Sequence, residues 1–91
     1  MITKRGADKI RGKWKVLIIV SLYNMPLRFN KLKQIIMCNS VSLSQNLRQL
    51  EKHGIVMKEN GPYTRYRLTK DGVVIAKLII QLDEALSKLG H

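Results

Sequence analysis

The chain is poor in the residues that anchor secreted, metal-binding and catalytic proteins. Its single cysteine, Cys38, excludes an internal disulfide framework and a cysteine-rich zinc site, and fits a reducing cytosol better than an oxidising compartment. The six Asp and Glu fall mostly at solvent-type helix positions and give no convincing acid–base pair, and no glycine-rich phosphate loop is present, so an enzyme is the least favoured class. His53 and His91 have no carboxylate or cysteine at a ligand spacing, so neither a metal nor another cofactor is expected. Long apolar runs are missing too. Val16 to Tyr23 and Val73 to Ile80 fall well short of the ~20 residues of a membrane-spanning helix, and Lys77 interrupts the second. No secretory signal pattern opens the chain, and the expectation is a cytoplasmic protein without a membrane partner.

What is abundant is positive charge. Lys and Arg number 17 against 6 Asp and Glu, a formal +11 over 91 residues, and such a surface seeks a polyanion. The basic residues are spread along the chain instead of lining one side of an amphipathic helix, which favours nucleic acid over an anionic bilayer. The length suits one domain with a limited core, a limit that dimerisation relieves.

Apolar periodicity orders the elements. Residues 1–9 lack a sustained period and are expected to form a flexible basic arm, leaving 10–91 as a single domain. A helix is predicted from Ile10 to Tyr23, burying Trp14, Leu17, Ile18 and Leu22 while Arg11, Lys13 and Lys15 stay wet; Asn24-Met25-Pro26 ends it. Leu27 to Phe29 is too short to stand alone and is expected to pair with the wing hairpin as a third, edge strand. Asn30 is the expected N-cap of a second helix, Lys31 to Met37, with Leu32, Ile35 and Ile36 in the core. After the turn Cys38-Asn39, a third helix capped by Asn39 or Ser40 runs to Gly54. It buries Leu43, Leu47 and Leu50 and presents Ser42, Gln45, Arg48, Gln49 and Lys52 on the opposite side.

Two strand patterns follow, Ile55 to Asn60 and Tyr63 to Leu68, hinged at Gly61-Pro62. Tyr66 and Leu68 share one side, and Tyr63, Arg65 and Arg67 the other. Thr69 caps a last helix over 70–89, with Asp71 in its first turn. In that helix Ile75, Ile79, Leu82, Leu86 and Leu89 recur as a heptad seam, widened by Val74, Leu78 and Ala85. The seam exceeds what one small domain needs to cover itself, so part of it is expected to meet a second chain.

This order is α+β, mainly α: a winged helix-turn-helix built as helix, short strand, helix, helix, β-hairpin wing and C-terminal helix. It predicts a helix at about 40–53 in the major groove of double-stranded DNA and a wing at 55–68 on the flanking backbone. Ser42, Gln45, Arg48 and Gln49 are the candidate base-contacting residues. Lys13, Arg28, Lys31, Lys52, Arg65 and Arg67 are the candidate phosphate contacts. Trp14, Ile75, Ile79, Leu82, Leu86 and Leu89 are the candidate homodimer interface, and two-fold symmetry then makes the operator a palindrome. The competing reading is a non-specific architectural or protein-interaction module. Uncharged Gln and Ser on the third helix favour the regulator, since a coating protein would place Lys and Arg there.

Four strings carry a resemblance: Gly12-Lys13-Trp14; Leu27-Arg28-Phe29-Asn30-Lys31-Leu32; Leu43-Ser44-Gln45-Asn46-Leu47-Arg48-Gln49-Leu50-Glu51-Lys52-His53-Gly54-Ile55-Val56; and Tyr66-Arg67-Leu68-Thr69-Lys70-Asp71-Gly72. In that order they resemble the HxlR-type winged-helix transcriptional regulators, a group close to the MarR and PadR regulators. The resemblance implies a homodimeric DNA-binding regulator whose terminal helices join the protomers. Three departures stand out. Only Gly61-Pro62 is read between the wing strands, a shorter wing than is usual in the group; Ser40 stands where the group often has proline or glutamine; and Cys38 ends the second helix, whereas redox-sensing members carry their cysteine near the amino terminus. Redox sensing is therefore not carried over, and no small-molecule effector is obvious from the sequence; one would have to bind between the wing domain and the dimer helices.

Overall fold

The computed structural model describes the backbone of residues 2–89 and the side chains of residues 12–89. Its elements run α1 (Ile2–Leu22), α2 (Phe29–Ile36), α3 (Ser40–Lys52), β1 (Val56–Glu59), β2 (Arg65–Leu68) and α4 (Lys70–Leu89). Helix α1 begins at Ile2, not at Ile10, so the backbone of the expected arm is continuous with the helix. The side chains of the arm lie outside the described residues, as do Gly90 and His91.

The core is a single cluster around α1. Ile18, Ile19 and Leu22 of α1 meet Leu32 and Ile36 of α2, Leu43, Leu47 and Leu50 of α3, Leu27, Val56, Leu68, and Ala76 of α4. Two residues expected inside are exposed: Leu17 at 36% and Ile35 at 49%. Helical period identifies an apolar arc, but packing partners decide which part of the arc is covered, and on α1 Ile19 is buried in place of Leu17.

Local chemistry sets most boundaries. Asn39 caps α3, its side chain accepting from the Ser42 N–H at 2.8 Å. At the other end Gly54, with φ +73°, donates to Glu51 O while Ile55 N–H reaches Leu50 O. This doubly bonded left-handed stop needs glycine. The start of α2 differs from expectation. Leu27 is pinned to Tyr66 by a reciprocal pair of backbone hydrogen bonds, and Leu32 N–H bonds to Arg28 O, so the helix begins at Phe29 with Arg28 at the N-cap and no side-chain cap. Asn30 thus lies inside the first turn, and the predicted edge strand shrinks to the single bridge residue Leu27.

The wing is an antiparallel pair with Val56 opposite Leu68 and Glu59 opposite Arg65. Residues 60–64 connect the strands, so the loop is five residues long, not the two-residue Gly61-Pro62 joint. A two-residue joint would have set Lys58 opposite Arg65. This one-residue slip in register puts a carboxylate there instead.

Thr69 ties the wing to the last helix. Its hydroxyl donates to Gly54 O at 2.6 Å, and its oxygen accepts from the Gly72 N–H at 3.1 Å, capping α4. Gly72 itself lies so close to Ile55 that a Cβ would overlap the Ile55 carbonyl oxygen. From this corner α4 packs on α1 and β2, then projects past them: every residue from Gln81 to Leu89 is exposed.

Candidate nucleic-acid interface

The outward face of α3 follows from its core face. With Leu43, Leu47 and Leu50 buried, positions half a turn away point to solvent, namely Val41, Gln45, Arg48 and Lys52, flanked by Ser42 and Gln49. All are exposed except half-buried Ser42. The structure therefore brings together the four residues expected to read bases and adds one that the sequence reading passed over. Val41 is 67% exposed at the centre of a polar face, and a valine methyl there suits apolar contact with a thymine methyl. Its signal in the sequence was position alone, an apolar residue four before Gln45.

The candidate phosphate contacts divide into groups. Lys52 lies on the α3 face. Arg28, Lys31 and Arg65 line one cavity of about 460 Å³ at the start of α2. The Arg28 guanidinium stands 3.9 Å from the centre of the Tyr63 ring, a cation–π contact that fastens the wing loop to the helix-turn-helix. Arg65 and Arg67 are not open cations. Glu59 Oε1 takes Arg65 at 2.7 Å and Glu59 Oε2 takes Arg67 at 3.1 Å, one carboxylate holding both arginines. These are the ion pairs among the described residues.

Lys13 and Lys15 are two positions apart, about 200° around α1, so only one can face α3. It is Lys15, whose Nζ donates to Asn46 Oδ1 at 3.1 Å; Lys13 is exposed elsewhere on the helix. Trp14 also turns to this side, half-buried beside Lys15, Ser42 and Gln45 in the cavity between α1 and α3. No residue of α4 lines that cavity; the other five residues expected with Trp14 at a dimer interface all lie on α4. Those five split again. Ile75 and Ile79 pack partly against the chain's own core, whereas Leu82, Leu86 and Leu89 are exposed, together with Val74 and Leu78.

Cys38 is half-buried. Among the described residues no three His, Cys, Asp or Glu side chains converge to hold a metal ion, and no helix is long and apolar enough to cross a membrane.

With this geometry in place, the chain matches the family model of HxlR-like helix-turn-helix proteins over residues 9–90. It is 33% identical over 88 residues to an uncharacterised helix-turn-helix transcriptional regulator of Synechocystis, covering 91% of this chain. The chain spans only 62% of the length of that curated relative. Among solved structures it resembles the reduced form of the transcriptional regulator YodB from Bacillus subtilis, at TM-score 0.74 and 26% identity over 92% of this chain and 88% of the other. It also resembles a possible HxlR family transcriptional factor from Thermoplasma volcanium, at TM-score 0.70 and 25% identity over 82% and 72% of the two chains.

Proposed function

The chain belongs to the HxlR-like helix-turn-helix family, and from that premise we propose that it is a transcriptional regulator that binds double-stranded DNA sequence-specifically, as a homodimer on a palindromic operator. The observation that carries this reading is the outward face of α3, where Val41, Gln45, Arg48 and Gln49 are exposed around a helix whose opposite side is fully committed to the core. Arg48 matches the two acceptors of guanine, and Gln45 or Gln49 the donor–acceptor pair of adenine. Val41 adds a contact for a thymine methyl. Lys52, Arg28 and Lys31 supply salt-sensitive phosphate contacts beside that face.

The dimer rests on the exposed stripe of α4. Val74, Leu78, Leu82, Leu86 and Leu89 are each more than half exposed and recur at steps of four, four, four and three, so one helix side stays apolar and uncovered by its own chain. A second copy packing there would bring two α3 helices to successive turns of the duplex, about one helical repeat apart or a multiple of it.

The test is selection from a randomised duplex pool at roughly 150 mM salt, where attraction to phosphates alone is weak. Enrichment of one palindromic motif, lost in the double variant Gln45→Ala with Arg48→Ala, is the expected result. Duplexes retained without an enriched motif would replace this reading with non-specific architectural binding.

A further inference from the structure

Asn46 is the one buried polar side chain among the described residues, 8% exposed on the side of α3 otherwise made of leucines. Burying an amide is costly unless each end finds a partner. Both ends do. The Nδ2 group donates to Ser42 O one turn back at 2.8 Å, and Oδ1 accepts from Lys15 Nζ across 31 residues. The second bond orders a long cationic side chain that would otherwise keep its rotamer freedom.

An ammonium has three donors, and Asn46 occupies one. Beyond it opens the cavity of about 460 Å³ between α1 and α3, whose lining includes Lys15, Gln45, Arg48 and Gln49 and no carboxylate. The identity of the holding group matters here. Glu59 holds Arg65 and Arg67 by neutralising them, whereas an amide oxygen holds Lys15 and leaves its charge intact. A fixed, unneutralised cation in a carboxylate-free cavity is a site for an anion.

Resting on the DNA-binding reading above, we propose that Lys15, positioned by Asn46, is a DNA phosphate contact delivered from α1. It clamps the backbone immediately beside the bases faced by Gln45, Arg48 and Gln49, so the reading helix is registered on the duplex by a residue from another helix. Because phosphate carries no sequence information, the contact sets affinity and register, not base preference.

The experiment is a titration of duplex DNA across a range of salt concentrations with the wild-type chain, Lys15→Met, Lys15→Arg and Asn46→Asp, each first checked by thermal melting to be folded at the titration temperature. Lys15→Met is expected to lower the slope of log affinity against log salt by about 1 per bound protomer. That corresponds to roughly fivefold weaker binding near 150 mM, with the ratio of specific to non-specific affinity unchanged. Asn46→Asp keeps the lysine but neutralises it, and should reproduce the loss; Lys15→Arg should retain the wild-type slope. Wild-type slopes in both Lys15→Met and Asn46→Asp would overturn the proposal, and a loss confined to Lys15→Met would overturn the role of Asn46. A wild-type chain with no salt-dependent duplex binding would overturn the DNA reading itself, and this contact with it.

Discussion

The stretch from Gly12 to Leu68, which holds the helix-turn-helix and the wing, carries ten Lys and Arg against two Glu, whereas α4 carries three cations and three anions. Exposure is distributed the other way. Helix α3 hides its leucines and shows amides and cations, while α4 shows Leu78, Leu82, Leu86 and Leu89. Two amphipathic helices of one small chain therefore present opposite faces to solvent. The difference teaches that charge and apolar surface are kept on separate parts of the chain: the basic half has the chemistry to suit a polyanion, and the neutral half to suit another apolar face.

The most severe test of that division places charge on the apolar stripe of α4. In Leu82→Glu with Leu86→Glu, analytical ultracentrifugation should show a monomer, against the dimer proposed for the wild type. Affinity for a two-half-site duplex should fall by about 10²–10⁴, the loss expected when two linked contacts become independent. Affinity for a single half-site should hold, because the basic half is untouched. A double variant that still sediments as a dimer would remove the α4 stripe from the interface.

The joint between the halves can be broken separately. Gly72→Ala drives a Cβ into the Ile55 carbonyl and within 3.1 Å of Leu68 Cβ, an overlap with backbone that side-chain motion cannot relieve. We expect a loss of about 3 kcal/mol, the upper end for overpacking, seen as a fall of roughly 12–24 °C in melting temperature. Gly12→Ala is the control. Nothing lies within 4 Å of a Cβ there, and alanine in a helix interior should stabilise by up to about 1 kcal/mol. Equal melting temperatures for the two variants would show that the α4 corner is not held as described.

The smallest effect sharpens the contrast inside the basic half, where the α3 cations stand open and the two wing arginines are paired. Glu59→Gln releases Arg65 and Arg67. Since both arginines are about half exposed, folding stability should change by less than about 1 kcal/mol. Duplex affinity at low salt should instead rise a few-fold, with a salt slope steeper by up to about 2. An unchanged slope would exclude the wing arginines as phosphate contacts.

Much of this was legible in the sequence because it depends on neighbours along the chain. A cap at Asn39 or Ser40, the stop at Gly54, the leucine period of α3 and the opposing Ser42, Gln45, Arg48 and Gln49 follow from local rules of backbone and helix geometry, and so does the winged order of elements; the Ser42 N–H bond settles the cap on Asn39. Tertiary structure decided what depends on distant partners. The Leu27–Tyr66 bridge moved the start of α2 and displaced Asn30 from its cap; packing around α1 left Leu17 outside and brought Ile19 in. The five-residue wing loop set Glu59 opposite Arg65 and so paired two cations that composition counts as available. Lys15 and Asn46, 31 positions apart, meet only because α1 and α3 pack together. Hydrophobic period and turn chemistry act over a few residues and can be read from the chain, but which charges remain open is fixed by contacts between elements, which the chain order does not specify.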